Sequence, residues 1–448
     1  MSKIDANDVA RDKGLDGLTE ELDGKTAAAA DSNTTAPVQD ADWPAPLAQA
    51  AYIGLAGRVV RSIAPHTEAD DVALIIQFLA AYGNCIGRGC HWRAGADEHH
   101  GNLFMVLVGR SARGRKGSAW GEIRRLFEGI GDGWQDRIQS GASSSEGIIW
   151  AVRNEIIGRD KKGAEVTLDG GVADKRLLIQ EPEFANVLKQ AERNGNTLSA
   201  VLRQAWERGD LQTLTKNAPA RATGAHISII GHITKDELLR HLGQTETANG
   251  FANRFIWVCC KRSKLLPHGG ALPDTELAGL RQAVQSAVNH GRRGMLLERE
   301  LAVAAMWEAA YANLTADRDG LAAAVCNRAE AQVMRLAMLY ALLDGRNAIG
   351  AEHLTAGLAV WDYCEQSAGY VFGRSLGDPT ADRIDEALRC CDGLTRVDIS
   401  ALFGRHATAA EIDRALNVLQ RTGRARRQTV QTGGRPIERW ISTLQGMA

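Results

Sequence analysis

The chain has 448 residues, enough for a large core and two to three domains, and its 44% hydrophobic and 24% charged residues are those of an ordinary globular protein. A net charge of −1 excludes a strongly polyionic chain, but residues 1–44 hold ten acidic and four basic side chains, which leaves the remainder five charges positive and permits a polyanionic partner. No apolar run approaches the roughly 18 residues of a membrane span, Met1 to Leu22 has no signal-peptide core, and eight scattered cysteines form no C-x-x-C pair; reduced thiols, no membrane partner and a cytoplasmic location are the expectations.

Residues 1–44, poor in aromatics and rich in Asp, Ala, Thr and Ser, cannot bury enough surface to fold alone and read as a disordered acidic tail. Residues 45–98 read as a helical segment. Apolar residues recur at helical spacing from Leu47 to Ile63 and from Ala69 to Ile86, with a break at Pro65 and with Asp70 and Asp71 at a helix start. Cys85, Cys90, His99 and His100 lie close in sequence without a recognised metal spacing, and read as buried thiols and surface histidines. Cys259–Cys260 and Cys390–Cys391 suit strand and helix packing positions.

Residues 99–295 carry the motifs. Leu103 to Val108 is a continuous apolar run suited to a parallel strand covered on both faces. Gly109 and Gly114 after it have the glycine spacing of G-x-x-x-x-G-K-[ST], whose backbone N–H groups wrap phosphates at the positive end of the following helix. Arg115 stands where the lysine belongs, and Lys116, Gly117 and Ser118 follow, so either cation is a candidate for the phosphates and the Ser118 hydroxyl for Mg2+. The alternative is a basic, glycine-rich surface loop. Ser118 to Gly129 reads as a helix, Ser140 to Gly147 as a tight turn, Ile148 to Ile157 as a short helix or strand, and residues 158–171 as a polar hairpin with Lys161 and Lys162 at its tip.

In Lys175 to Glu183 a hydrophobic strand delivers a carboxylate, Glu181, at its C-terminal end, where a nucleoside triphosphatase places the residue acting on the attacking water. Gln180 occupies the position of the magnesium-holding aspartate, and a helix-capping role for Glu181 stays open. Phe184 to Arg208 reads as helical. Leu211 to Thr215 and Ala225 to Ile230 read as strands joined by a hairpin-like loop carrying Lys216 and Arg221. His232 at the end of the second strand is suited to sensing a γ-phosphate, and Arg254, at the entrance of a strand within Phe251 to Val258, to reaching a phosphate across a subunit boundary.

Residues 296–378 read as a helical lid: an amphipathic helix over Val325 to Leu343, with Val333, Leu336, Ala337, Tyr340 and Leu343 on one face, then a helix from Ala351 to Tyr370. Residues 379–448 give helices at Ile384–Cys391, Arg396–Phe403 and Thr408–Arg421, the last with a Thr408/Glu411 capping box. Strands Arg424–Val430 and Ile437–Ile441 follow, about Gly433 to Pro436. That order is a winged helix. Nine arginines face four acids in residues 396–448, and Arg424, Arg426, Arg427, Arg435 and Arg439 crowd the wing as phosphate contacts; packing against a protein is the alternative use of the same module.

In this motif order, over residues 102–367 and again at the C-terminal end, the chain resembles a family of P-loop proteins of phages, plasmids and integrated elements, and is similar to the AAA+ replicative helicases of the minichromosome-maintenance type. The resemblance implies that Glu181 is the Walker B glutamate, that Lys161 and Lys162 lie on a DNA-facing insertion, that Lys216 lies on the hairpin before sensor 1, that His232 stands at sensor 1 in place of asparagine, that Arg254 is an arginine finger acting in trans, and that Arg328 is the sensor 2 arginine of the lid. A solvated surface arginine is the other reading of Arg328. The expected fold class is therefore α/β, with a P-loop NTPase (AAA+/RecA-like) core, a helical lid and a C-terminal winged helix. The expected function is an ATP- and Mg2+-dependent, ring-forming DNA helicase or translocase, a hexamer, with single- and double-stranded DNA and a primase or loader as partners. An ATP-switched DNA-binding initiator or regulator without unwinding activity is the second reading, and a purely structural ring subunit the third.

Overall fold

The computed structural model describes residues 43–193, 195–213, 220–242, 249–316, 320–373, 376, 378–430 and 437–443. The acidic tail up to residue 42, Lys216 and Arg435 lie outside the described residues. The chain enters the core through helices α1 (Gly54–Ile63) and α2 (Asp71–Ile86). Asp70 caps α2 by accepting the Val72 N–H at 3.1 Å, and every residue from Val72 to Ile86 is buried, so α2 is a central helix whose apolar surface goes all the way round. A small hairpin, β1 (His91–Ala94) with β2 (Asp97–His100), leads to β3 (Phe104–Val108), all five residues of which are buried. His100 is buried and His99 stacks on Trp92 with ring centroids 4.8 Å apart. The pair packs where the sequence suggested surface histidines, because antiparallel pairing sets His99 opposite Trp92.

Helix α3 (Lys116–Leu126) follows β3, and then come β4 (Ile138–Gln139), α4 (Ser145–Ala151) and an antiparallel hairpin of β5 (Ile156–Arg159) and β6 (Glu165–Asp169). Next are β7 (Arg176–Glu181), α5 (Ala185–Ala191), α6 (Leu198–Glu207), the short strands β8 (Leu211–Gln212) and β9 (Arg221–Ala222), then β10 (His226–Ile233), α7 (Lys235–His241) and β11 (Phe255–Cys259). The span expected as one helix from Phe184 to Arg208 is two, interrupted where Gly195 takes a positive φ of 80°. The expected pairing of 211–215 with 225–230 is also replaced. Leu211–Gln212 pairs with Arg221–Ala222, since β10 is engaged on both sides by β3 and β7.

The central sheet has the order β11-β3-β10-β7-β4, with every pair parallel. All-parallel pairing requires cover on both faces. One face is covered by α1, α2, α3 and α8 (Asp274–Gly291) together with α11 (Ala329–Leu343), which follows α9 (Ala304–Leu314) and α10 (Leu321–Cys326). The apolar core so formed runs from Leu47 to Cys364 and draws on the three segments 45–98, 99–295 and 296–378 together. The helix expected to be amphipathic over 325–343 breaks at Asn327–Arg328, and in its second half, α11, every residue but Glu330 is buried, which makes it a core helix. β12 (Glu298–Arg299) and β13 (Ala348–Ile349) form a small parallel pair, and α12 (Ala351–Phe372) closes this part of the chain. Among the described residues no helix is long and apolar enough to cross a membrane.

The C-terminal residues have a core of their own. It is built from α13 (Pro379–Arg389), α14 (Arg396–Leu402) and α15 (Ala409–Arg421) against an antiparallel sheet of β14 (Leu394–Thr395), β15 (Ala425–Val430) and β16 (Ile437–Ser442) in the order β14-β16-β15. Thr408 and Glu411 form the expected capping box at α15. Cys390 ends exposed at the close of α13, where packing was expected.

One polar residue of α2 registers the sheet. Asn84, fully buried, donates to Leu177 O at 3.1 Å, His226 O at 3.1 Å and Ser228 Oγ at 3.2 Å, and accepts from Trp134 Nε1 at 2.8 Å. One side chain thus ties β7, β10 and the Trp134 turn to the helix. Asn84→Ala leaves these buried groups unpaired and should lower unfolding stability by about 2 kcal/mol or more, read as a shift in the urea midpoint at unchanged m-value; an unchanged midpoint would remove Asn84 from this role.

Candidate functional site: a cleft at the carboxyl edge of the parallel sheet

Because the strands are parallel, the segments leaving β3, β7 and β10 emerge at one edge. From β3 the chain crosses towards β4, and from its neighbour β10 it crosses back past β3 to β11, so the connections diverge between them. Ligands bind at such a switch point in open α/β sheets. The cleft found there has a volume of about 350 Å³ and is lined by Arg110 to Ala112, Arg115 to Ser118, Pro182, Glu183, His232 to Thr234 and Glu237.

The loop from Gly109 to Arg115 is tight. Gly114 N–H donates to Arg110 O at 3.1 Å, and Ala112 and Arg115 adopt positive φ of 51° and 48°. A Cβ on Gly109 would stand 2.4 Å from Cys260 O, and one on Gly114 2.8 Å from Arg110 O, so both positions require glycine in this backbone. Gly117 has open space around it and faces the cleft with no side chain in the way.

The loop's two candidate phosphate cations, Arg115 and Lys116, take different partners. Arg115 pairs with Glu68 at 2.6 Å. Lys116, the first residue of α3, folds back to donate to Gly109 O at 2.6 Å and Arg110 O at 3.4 Å. Burial holds its ammonium below the ordinary lysine range. An ammonium satisfied, among the described residues, by loop carbonyls in a cleft is poised to exchange them for stronger, anionic acceptors. The donor set suits a polyphosphate: Lys116, the α3 N-terminus and the Ser118 hydroxyl line one cleft. The hydroxyl and the carboxylates there are the hard oxygen ligands that magnesium takes.

His232 lines the same cleft while only 4% exposed. Gln77 of α2 donates its amide to Ala73 O at 3.0 Å, which turns Oε1 to His232 Nε2 at 3.1 Å. In that arrangement Nε2 carries the proton and Nδ1 is an acceptor. Burial, with Lys116 adding to it, pushes the imidazole down to about 4. Gln77 and Glu237 were not singled out from the sequence. Gln77 could have been found as a polar residue seven positions from Asn84, and so on the same face of an otherwise apolar helix. Glu237 is engaged in a capping box with Thr234 at the start of α7.

Glu181 lies apart from the cleft lining. Its Oε1 accepts the N–H groups of Gly141 at 2.6 Å and Ala142 at 2.7 Å, and the residue is 6% exposed. It holds the serine-rich turn that precedes α4, where Ser144 caps the helix by accepting the Gly147 N–H.

Arg254 and Arg328 are brought together, at the opposite edge. Phe255, next to Arg254, pairs with Phe104 at the start of β3, so the four residue steps of β3 put about 13 Å of strand between this edge and the cleft. Both guanidiniums bond one carboxylate oxygen, Glu207 Oε1, Arg328 at 3.1 Å. They also lie over the Trp206 ring, at 5.9 and 5.2 Å, with the fully buried Arg335 stacked on it at 3.7 Å. Burial and then the Arg328 charge hold Arg254 below the usual arginine range, with Glu207 opposing. A larger cavity of about 690 Å³ opens beside this cluster, lined by Arg88, His99, Glu207, Asp210, Arg328 and others.

Of the candidate nucleic-acid residues, Lys161 and Lys162 are exposed at the hairpin tip and Arg221 is exposed on β9. Arg424 is drawn inward to the buried Asp385 at 3.3 Å, Arg427 pairs with Glu438 at 3.6 Å, and Arg426 is exposed on β15. No protein-family model matches the chain, and no curated protein matches its sequence.

The His232 environment has a pH consequence. Between the ordinary value of 6.5 and about 4 the unfolded chain binds a proton that the folded protein refuses, so stability is complete above 6.5 and falls as pH drops through this window. Replacing His232 by Gln should flatten the decline of the urea midpoint over that window by about one proton's worth of slope; an unchanged slope would contradict the buried, neutral ring.

Proposed function

We propose that the protein is an ATPase that assembles as a ring and works on DNA, a helicase or translocase serving replication of a mobile element, in line with the P-loop resemblance of its motif order. The observation that carries the reading is Lys116. It sits at the head of α3 beyond a two-glycine loop, at the switch point of a parallel sheet, with its ammonium held by the carbonyls of that loop. In this reading residues 109–117 wrap the triphosphate, Lys116 takes its oxygens, and the Ser118 hydroxyl with phosphate oxygens holds Mg2+. The ion neutralises charge on the transferring phosphoryl group when bound.

Arg254 and Arg328 belong to the other half of the site. At the far edge of the sheet they serve a neighbour's nucleotide, as in the finger and sensor 2 roles, so a complete site forms only between two subunits. Glu207, which both now share, is the charge that a neighbour's phosphate replaces. Lys161 and Lys162 lie on the DNA-facing hairpin, and residues 379–448 act as a winged helix with Arg426 on its exposed wing. Gln180 in the aspartate position favours the second reading, an ATP-switched initiator that binds double-stranded DNA and unwinds nothing; strand displacement on forked DNA separates the two.

Arg254→Ala should abolish turnover with nucleotide affinity nearly intact. Mixing it with Lys116→Ala should restore part of the activity, since each mixed interface of the right order joins an intact cleft to an intact Arg254. Steady-state ATP hydrolysis of each variant and of the mixture is the measurement. Wild-type turnover by Arg254→Ala alone, or no recovery on mixing, would refute the shared site.

A further inference from the structure

The strand register places Glu181 too low on the sheet to meet a phosphate held by the loop after β3. Glu181 and Val106 both pair with Gly231 of β10, so they are level. Val108, where β3 gives way to the loop, pairs with Ile233, two residues higher. Glu183 follows Glu181 by the same two residues. The side chains agree with the register. Glu181 is buried, with Oε1 committed to the Gly141 and Ala142 N–H groups at 2.6 and 2.7 Å, whereas Glu183 is exposed and lines the cleft with Lys116, Ser118 and His232. The chain is held there from both sides of Glu183, because Pro182 precedes it and the Phe184 N–H donates to His232 O at 2.9 Å.

We infer that Glu183, two residues past the expected position, is the carboxylate that acts on the attacking water, and that Glu181 is a positioning residue for the turn at Gly141. The inference rests on the ATPase reading above. In the step so assigned, the water oxygen forms a bond to the γ-phosphorus and the bond from that phosphorus to the β–γ bridging oxygen breaks. The electron pair leaves on ADP, and the water proton passes to the Glu183 carboxylate, which later releases it to solvent. Glu183 touches the reacting water and is therefore catalytic. Glu181 acts through the backbone of residues 141–142.

Two isosteric variants test this. Glu183→Gln should lose about 10²-fold or more of kcat for ATP while binding Mg–ATP with unchanged affinity, and Glu183→Asp should recover part of the rate. Glu181→Gln keeps an oxygen for the Gly141 and Ala142 N–H groups and should turn over near the wild-type rate; Glu181→Lys, which removes that acceptor, should loosen the turn, read as faster amide exchange at residues 140–147. Full activity in Glu183→Gln, or loss in Glu181→Gln with its exchange pattern unchanged, overturns the assignment. A wild-type protein that binds Mg–ATP without hydrolysing it overturns the parent reading instead, so the two failures are distinguishable.

Discussion

Parallel hydrogen bonding on both sides of β10 is the constraint from which the arrangement follows. With β3 and β7 both in register with it, the chain must turn the same way after each of three strands, and the loops they feed converge at one edge. The opposite edge gathers the strand beginnings, Arg254 among them. Asn84 and Gln77, one helix face of α2 seven residues apart, reach into the two ends of this frame: Asn84 fixes the backbone of β7 and β10 near their starts, and Gln77 fixes the ring of His232 near the end. A buried helix with so few polar side chains costs little hydrophobic burial, and these two set the seating of the sheet and the tautomer of a residue in the cleft.

The charge pattern follows the same division. At the carboxyl edge a lysine is held by two carbonyls of its own loop. At the amino edge three guanidiniums surround one indole, and a single half-exposed carboxylate serves two of them. On the proposal of a shared site, a polyanion seated on the first edge of one copy presents to the second edge of the next the charge that Glu207 supplies within one chain.

Much of this was legible in the sequence, for physical reasons that differ by element. The run Leu103 to Val108 and the capped starts at Asp70 and Thr408 announce themselves because continuous apolarity and side-chain capping are local signals. The two glycines of the loop were legible as a spacing, and their necessity comes from approaches to Cys260 O and Arg110 O. What local pattern could not give is anything decided by register or by a distant partner. Which cation of the cleft already holds a carboxylate turned on Glu68 taking Arg115, and the level of Glu181 turned on which residues of β10 it pairs with. The basic wing read as uniform in sequence, yet Arg424 is spent on Asp385 within the fold. Helix α11 read as amphipathic from its apolar face alone, whereas its polar members Gln332 and Arg335 are fully buried and bonded to backbone carbonyls of Arg254, Asn102 and Trp206.

An experimental structure of the protein with Mg2+ and a non-hydrolysable ATP analogue tests the central claim most directly. The account predicts phosphates seated on the backbone of residues 109–117, the Lys116 ammonium moved from Gly109 O to a phosphate oxygen, and the Arg254 guanidinium of an adjoining copy at the γ-phosphate in place of Glu207. A cleft that stays empty at saturating analogue, or a bound nucleotide with no second copy against it, would contradict the account.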